Sequence, residues 1–243
     1  ALTFAGGLAC GGLKPVVAIY STFLQRAYDQ MIHDIMIQNL DVLLAIDRAG
    51  IVGADGETHQ GIYDISFLRI LPNIVLMTPS NEQELWTMLN TGLKYKGIGA
   101  VRYPRGFTEG LDLDLNDECL QIGKSRTIVR GSKIAYLVFG TLLNEVTEVA
   151  INNGATVIDM RFVKPIDEKT IIAICQTHEY IFTIEDNVIL GGAGSAVNEV
   201  VNKNKITKNI VNIGVPDNVV PHGNQKEILS DLGLDAKGIQ KIT

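Results

Sequence analysis

The sequence has no run of eighteen apolar residues, so it offers no candidate membrane-spanning helix. Its first segment, ALTFAGGLACGG, is apolar and small, but no basic stretch precedes it, so it does not read as a secretory signal. Basic runs are missing too. With a net charge of −6, the chain lacks the clustered positive surface that phosphate backbones require, which argues against nucleic acid as a partner. Cysteine is scarce. Cys10, Cys119 and Cys175 are odd in number, far apart and without a CxxC pair, which argues against a disulfide framework and a zinc site. Reduced thiols suit a cytoplasmic protein, and that location is expected. Short-period repeats and low-complexity tracts are absent. So are an initiating Met and an N-cap ahead of LTFAGGLA, which is already helical in character; a fragment or a processed piece is expected.

What remains is ordinary globular material, 243 residues with 46% hydrophobic and 20% charged, enough for two domains. Strand and helix patterns alternate. Val16–Ile19, Val42–Ile46, Ile74–Met77 and Ala100–Tyr103 read as strands. Thr22 with Gln25, and Ser80 with Gln83, read as capping boxes that open the intervening helices. Leu24, Tyr28, Met31, Ile32 and Ile35 recur at helical spacing. After a linker over Phe107–Asn116 the alternation resumes, with strands at Ile134–Phe139, Ala155–Met160, Tyr180–Ile184 and Ile210–Ile213 and a helix after each. This pattern predicts two α/β domains, 1–115 and 116–243, each of three layers around a mainly parallel sheet.

Loops after parallel strands emerge on one sheet edge, where α/β proteins bind ligands. In the first domain that edge collects Tyr20, Phe23 and Arg26 after the first strand; Arg48, Asp55 and His59 after the second; and Arg105 after the fourth. The second loop, DRAGIVGADGETHQG (Asp47–Gly61), holds four glycines, three acids, an arginine and a histidine. Two arginines beside a Gly-rich loop suit a phosphate, because guanidinium donates bidentately. An acid and a histidine beside them suit proton transfer at a hydroxyl or carbonyl. Plainer readings stand beside these: arginines in surface ion pairs with Asp47 or Asp55, Tyr20 and Phe23 as core aromatics, glycines as turns. Gly191–Ser195 sits at a helix start without a phosphate-loop spacing, and close packing is its favoured role. His33, His178 (a helix C-cap) and His222 receive no function.

Five segments in order, YSTFLQRAYDQ, DRAGIVGADGETHQG, VRYPRG, DMRFVKPID and GGAGSAVNE, closely resemble the 1-deoxy-D-xylulose-5-phosphate synthase family. Transketolases and the β-subunits of 2-oxo-acid dehydrogenases share the fold but not these strings. The resemblance implies a transketolase pyrimidine-binding domain followed by a transketolase C-terminal domain. It implies thiamine diphosphate as cofactor, pyruvate and D-glyceraldehyde 3-phosphate as substrates, a homodimer, and a role in isoprenoid, thiamine and pyridoxal synthesis. Residue by residue, it makes Phe23 the aromatic that stacks on the aminopyrimidine, with Tyr20 and Arg26 lining that pocket. Arg48 and Arg105 correspond to the pair holding the aldehyde's phosphate, and Asp55 and His59 to polar groups near the reacting carbons.

The family's GDG-type domain, which binds the diphosphate and Mg2+, has no counterpart in this sequence, and its catalytic glutamate falls just before Ala1. A metal site within the chain is therefore not expected, and neither is activity of the chain alone. Two other readings stand: the β-like chain of a split two-chain thiamine diphosphate enzyme, and a non-catalytic remnant kept for dimerisation or binding.

Overall fold

The computed structural model describes residues 1–106, 110 and 112–242. The first half runs α1 (Leu2–Cys10), β1 (Val16–Tyr20), α2 (Ser21–Leu24), α3 (Tyr28–Gln30), β2 (Val42–Asp47), α4 (Asp64–Leu68), β3 (Val75–Met77), α5 (Glu82–Lys94) and β4 (Ile98–Arg102). The second runs β5 (Arg126–Val129), β6 (Ile134–Phe139), α6 (Leu143–Asn153), β7 (Thr156–Asp159), β8 (Phe162–Lys164) and α7 (Glu168–Thr177). It closes with β9 (Tyr180–Val188), α8 (Ala193–Lys203), β10 (Ile210–Val215), α9 (Gln225–Asp231) and α10 (Ala236–Ile242).

Among the described residues these strands form two five-stranded sheets, ordered β1-β2-β4-β3-β8 and β10-β9-β6-β7-β5. All pairings are parallel except at one edge of each sheet, where β8 runs antiparallel to β3 and β5 to β7. The apolar run of β2 is buried from Val42 to Ile46, as a strand covered on both faces should be. The mainly parallel α/β architecture expected from the alternation is present.

Strand β8 lies in the second half of the sequence but belongs to the first sheet. One apolar cluster joins Leu44, Ile46 and Leu76 to Leu137, Phe139 and Val163. The two halves therefore share buried surface. No helix among the described residues is long and apolar enough to cross a membrane.

Several local expectations are corrected. The helical stretch after β1 starts at Ser21, with Tyr20 as its N-cap and no side-chain cap. Thr22 thus falls inside the first turn, and its Oγ1 donates instead to the Thr58 carbonyl at 2.9 Å. The stretch is also irregular, passing through a 3-10 turn at Gln25–Ala27 and a π-helical segment at Met31–Met36. The cap of α5 is Asn81, not Ser80: its side chain accepts from Glu84 N at 2.9 Å. Ser80 Oγ donates to Asp159 at 2.9 Å, and Gln83 is engaged with the backbone of Asp114. The linker Phe107–Asn116 falls in part outside the described residues. Its far end is tied to α5, where Trp86 Nε1 donates to the Asn116 carbonyl at 2.8 Å.

Because an extended Asn81 satisfies an otherwise orphaned N–H of α5, Asn81→Ala should lower the unfolding free energy by about 1 kcal/mol. Urea denaturation checks this, and an unchanged midpoint with unchanged slope would contradict it.

Candidate functional site

Strands β1 and β2 pair in parallel with Tyr20 opposite Asp47, so the chain leaves both at the same sheet edge. Arg48 follows at once and adopts a left-handed backbone, φ +55°. A non-glycine residue pays for that conformation, and it turns the loop back over β1. Its guanidinium lies 3.9 Å from the Tyr20 ring centroid. Tyr20 in turn stacks on Phe23, with centroids 5.0 Å apart and planes 13° from parallel. The His59 ring meets Phe23 edge-on at 5.5 Å. The result is a layered stack of guanidinium, phenol and phenyl, with an imidazole at its rim.

Asp55 ties the two predicted arginines together. One carboxylate oxygen accepts from Arg48 Nε at 3.2 Å, and the other lies 3.1 Å from Arg105 Nη1. Arg48 also pairs with Asp47. Partial burial opposes the Arg48 charge, but Asp47, Tyr20 and Asp55 outweigh it, and its pKa lies above the ordinary value. The Thr58 hydroxyl sits 2.9 Å from His59 Nδ1, so Nε2 is the ring nitrogen outside that contact.

An open cleft of 440 Å3 is lined by Thr22, Phe23, Gln25, Arg26, Thr58 and His59. Phe23 keeps 41% of its surface exposed there, an accessible flat ring suited to stacking on an aromatic heterocycle. The structure therefore brings Tyr20, Phe23, Arg48, Asp55, His59 and Arg105 into one connected group, with Arg26 on the same cleft. Both the ligand-site reading and the ion-pair reading of the arginines describe the geometry. Among the described residues no group of three or more His, Cys, Asp or Glu side chains is placed to hold a metal ion.

The Gly-rich turn Gly191–Ser195 is a packing element. A Cβ on Gly192 would stand 2.4 Å from Glu185 Oε2, and one on Gly194 would stand 2.5 Å from Thr183 Oγ1. The backbone N–H groups of Ala193 and Gly194 both donate to the Glu185 carboxylate at 2.8 Å, so that helix start is already satisfied from within. His178 is the C-cap of α7, as expected.

Sequence reasoning missed the buried charges behind the loop. Arg102 ends β4 with its side chain almost fully buried. Its Nε donates to both oxygens of Asp64 at 3.0 Å, its Nη1 to Asp186, and its Nη2 to the Gly61 carbonyl at 3.4 Å. Burial alone would push the Arg102 pKa down; Asp186 and Asp64 reverse this and hold it firmly charged. Asp64, wholly buried, is raised by desolvation despite Arg102. The available signal was an arginine closing the buried strand IGAVR and two acids inside the apolar strand YIFTIEDNV.

With this geometry established, comparison with known proteins becomes specific. Residues 1–109 match the model of the transketolase pyrimidine binding domain, and residues 123–239 that of the transketolase C-terminal domain. The chain is 57% identical over 240 residues to 1-deoxy-D-xylulose-5-phosphate synthase of Idiomarina loihiensis, covering 99% of this chain and 39% of that protein. It carries these two transketolase-type domains, in that order, over most of its length. The synthases of Haemophilus influenzae (strain Rd) and Pasteurella multocida are 59% and 60% identical, each match covering 99% of this chain and 38% and 39% of the relative. The chain thus spans about two-fifths of the length of these curated synthases. A solved structure titled split gene transketolase, inactive beta4 tetramer, superposes with a TM-score of 0.87 at 25% identity, over 98% of this chain and 78% of that one. Transketolase from Campylobacter jejuni superposes at 0.77 with 17% identity, over 99% of this chain and 37% of that one, which shows the shared fold.

Two outcomes follow for the buried charges. Arg102→Met leaves two buried carboxylates unpaired and should lower the unfolding free energy by about 3–5 kcal/mol; in chemical denaturation, a loss below about 1 kcal/mol would count against the pairing. Burial pushes the Glu185 carboxyl up from 4.5 to about 8, against the opposing pull of Gly194 N, Ala193 N and Arg102. Between those values the folded chain holds a proton that the unfolded chain has lost. The contribution is therefore full below 4.5 and is lost as pH rises through about 8. The stability of the wild type relative to Glu185→Gln should fall across that window, and a flat difference would contradict the assignment.

Proposed function

We propose that this chain is a portion of a 1-deoxy-D-xylulose-5-phosphate synthase that carries the pyrimidine-side and C-terminal domains, divided at residues 115 and 116. The reaction is the thiamine-diphosphate-dependent decarboxylation of pyruvate and transfer of its two-carbon unit to D-glyceraldehyde 3-phosphate. The observation that carries the reading is the Arg48–Tyr20–Phe23 stack with Asp55 bridging Arg48 and Arg105, in a chain 57–60% identical to named synthases. When bound, the cofactor supplies a nucleophilic carbon for the two-carbon unit.

The chain's own residues do the rest of the work proposed here. Phe23 offers its exposed face to the aminopyrimidine, Tyr20 supports that ring from behind, and Arg26 closes the cleft. Arg48 and Arg105 hold the aldehyde's phosphate, whose charge takes over the role that Asp55 plays between them. His59, through Nε2, serves proton transfer at the aldehyde oxygen or a neighbouring hydroxyl, with Asp55 of the same loop as a second polar group near the reacting carbons. The exposed aromatic and its cleft fit the cofactor's pyrimidine. The described residues hold no group fitted to Mg2+, so no step here runs through the metal. A homodimer, a cytoplasmic location and a place in isoprenoid, thiamine and pyridoxal synthesis belong to the same proposal.

A second reading, one chain of a split two-chain enzyme, draws support from the likeness to the split gene transketolase. Both readings predict no turnover by the chain alone. Purified chain with pyruvate, D-glyceraldehyde 3-phosphate, thiamine diphosphate and Mg2+ should release no carbon dioxide above background, and turnover would refute this. Adding the N-terminal portion of the Haemophilus influenzae synthase should restore product. In that mixture Arg48→Ala removes charge-assisted bonds of about 1.5–3 kcal/mol and should cut kcat/KM by about 10- to 100-fold. A complemented mixture indifferent to Arg48→Ala would refute the phosphate role.

A further inference from the structure

The loop from Asp47 to Gly61 carries Arg48, Asp55 and His59, and inside it Val52 N donates to Gln60 Oε1 at 2.9 Å and Arg48 Nε to Asp55. Two 3-10 turns, Gly53–Asp55 and Glu57–His59, are its regular elements, and Gly50, Gly53 and Gly56 all have positive φ. Its ends close on each other through the Gly50–Gly61 bridge, with N–H to carbonyl distances of 2.7 and 2.9 Å. Thr22 and Arg105 of the first half reach it, and the second half of the chain also packs closely against it.

At its base, Asp186 of β9 pairs with Arg102, which reaches the Gly61 carbonyl. The Asp186 carboxylate also fills the space above Gly50: a Cβ there would stand 2.1 Å from Asp186 Oδ2. Just beyond the loop, Val188 N donates to the Ile62 carbonyl at 2.9 Å, and Ile65 N reaches Asn187 Oδ1 at 3.2 Å. One residue in from the Gly50–Gly61 bridge, Gln225 Nε2 donates to the Ile51 carbonyl at 2.6 Å and Gln60 Nε2 to the Pro221 carbonyl at 3.4 Å. Gly53 lies so close to the Gln225 backbone that a Cβ would meet its N at 2.6 Å. Ile51 and Ile62 are buried in the apolar cluster of Tyr136, Val138 and Ile184, which belongs to the second sheet.

We propose that the second half of the chain sets the working geometry of this loop, with Asp186 and Gln225 as positioning residues for Arg48 and its neighbours. The inference rests on the phosphate reading of Arg48 and Arg105. Neither positioning residue touches the stack itself. Asp186 acts through Arg102 and Gly50, and Gln225 through Ile51. A cluster that must hold a phosphate within hydrogen-bond tolerance needs such external support, because a loop rich in left-handed glycines has many alternative shapes.

The test uses the whole chain with inorganic phosphate as probe. Asp186→Asn and Gln225→Leu should each speed amide hydrogen exchange across residues 50–61 and weaken phosphate binding by about five- to tenfold in titration calorimetry. Asn81→Ala serves as control, since its cap bond to Glu84 N is not among the contacts that hold the loop; it should lower stability without changing phosphate affinity. Loop amides that keep their protection in both variants, or affinities within about twofold of the wild type at a temperature where all chains are folded, would overturn the proposal. Unsubstituted chain that binds no phosphate overturns the reading beneath it as well, and that result is obtained before any variant is made.

Discussion

The burial of one positive charge organises this molecule. Arg102 sits at the end of a central strand, with carboxylates from its own half and from the other half around it. An isolated guanidinium at that depth would be very costly. Asp64 and Asp186 offset that cost only if both halves of the chain close on the same point. The contact therefore specifies how the halves meet, whatever it adds to net stability. The loop with the candidate chemistry lies directly against that point, since Gly61 accepts from Arg102 and Gly50 abuts Asp186.

A second set of charges repeats the pattern. Glu84 on α5 pairs with Arg126 and Arg161, and Arg126 also pairs with Asp159. Burial raises the Asp159 carboxyl despite Arg126. Here too, residues of the first sheet's helix meet residues of the second half. Together with β8, which crosses to complete the first sheet, these contacts join the two halves of the chain. In the candidate site the logic differs. Arg48 and Arg105 are held by Asp55 near the surface, where a ligand's charge can compete on even terms.

Much of the fold was legible because the strands are nearly continuous apolar runs separated by amphipathic helices. The site residues were legible for a related reason: Tyr20, Phe23, Arg26, Arg48, Asp55, His59 and Arg105 all follow the ends of parallel strands that share one sheet edge. Capping was less legible. Ser80 and Asn81 are both good caps by type, and the difference is that the Ser80 hydroxyl is drawn to Asp159, far away in sequence. The Thr22 cap failed because the helix starts two residues earlier than its hydroxyl needs. Strand β8 was missed because three residues after Arg161, itself at φ +60°, have no periodicity to read.

The sequence by itself determined the α/β class, the alternation of the parallel strands with helices, the resemblance to transketolase-type domains, and which side chains gather at the first sheet's edge. Each follows from local pattern and from the geometry of parallel strands. Only the tertiary structure decided how those side chains interlock. It stacked Arg48 on Tyr20 and Tyr20 on Phe23, and set Asp55 between two arginines. It also spent the Gly191–Ser195 turn on Glu185 rather than on a ligand. These outcomes depend on which groups, brought together by the folded sheet edge and its loops, supply counter-charge and close contact. Asp186 and Gln225 reach the loop only once both sheets have formed and packed together.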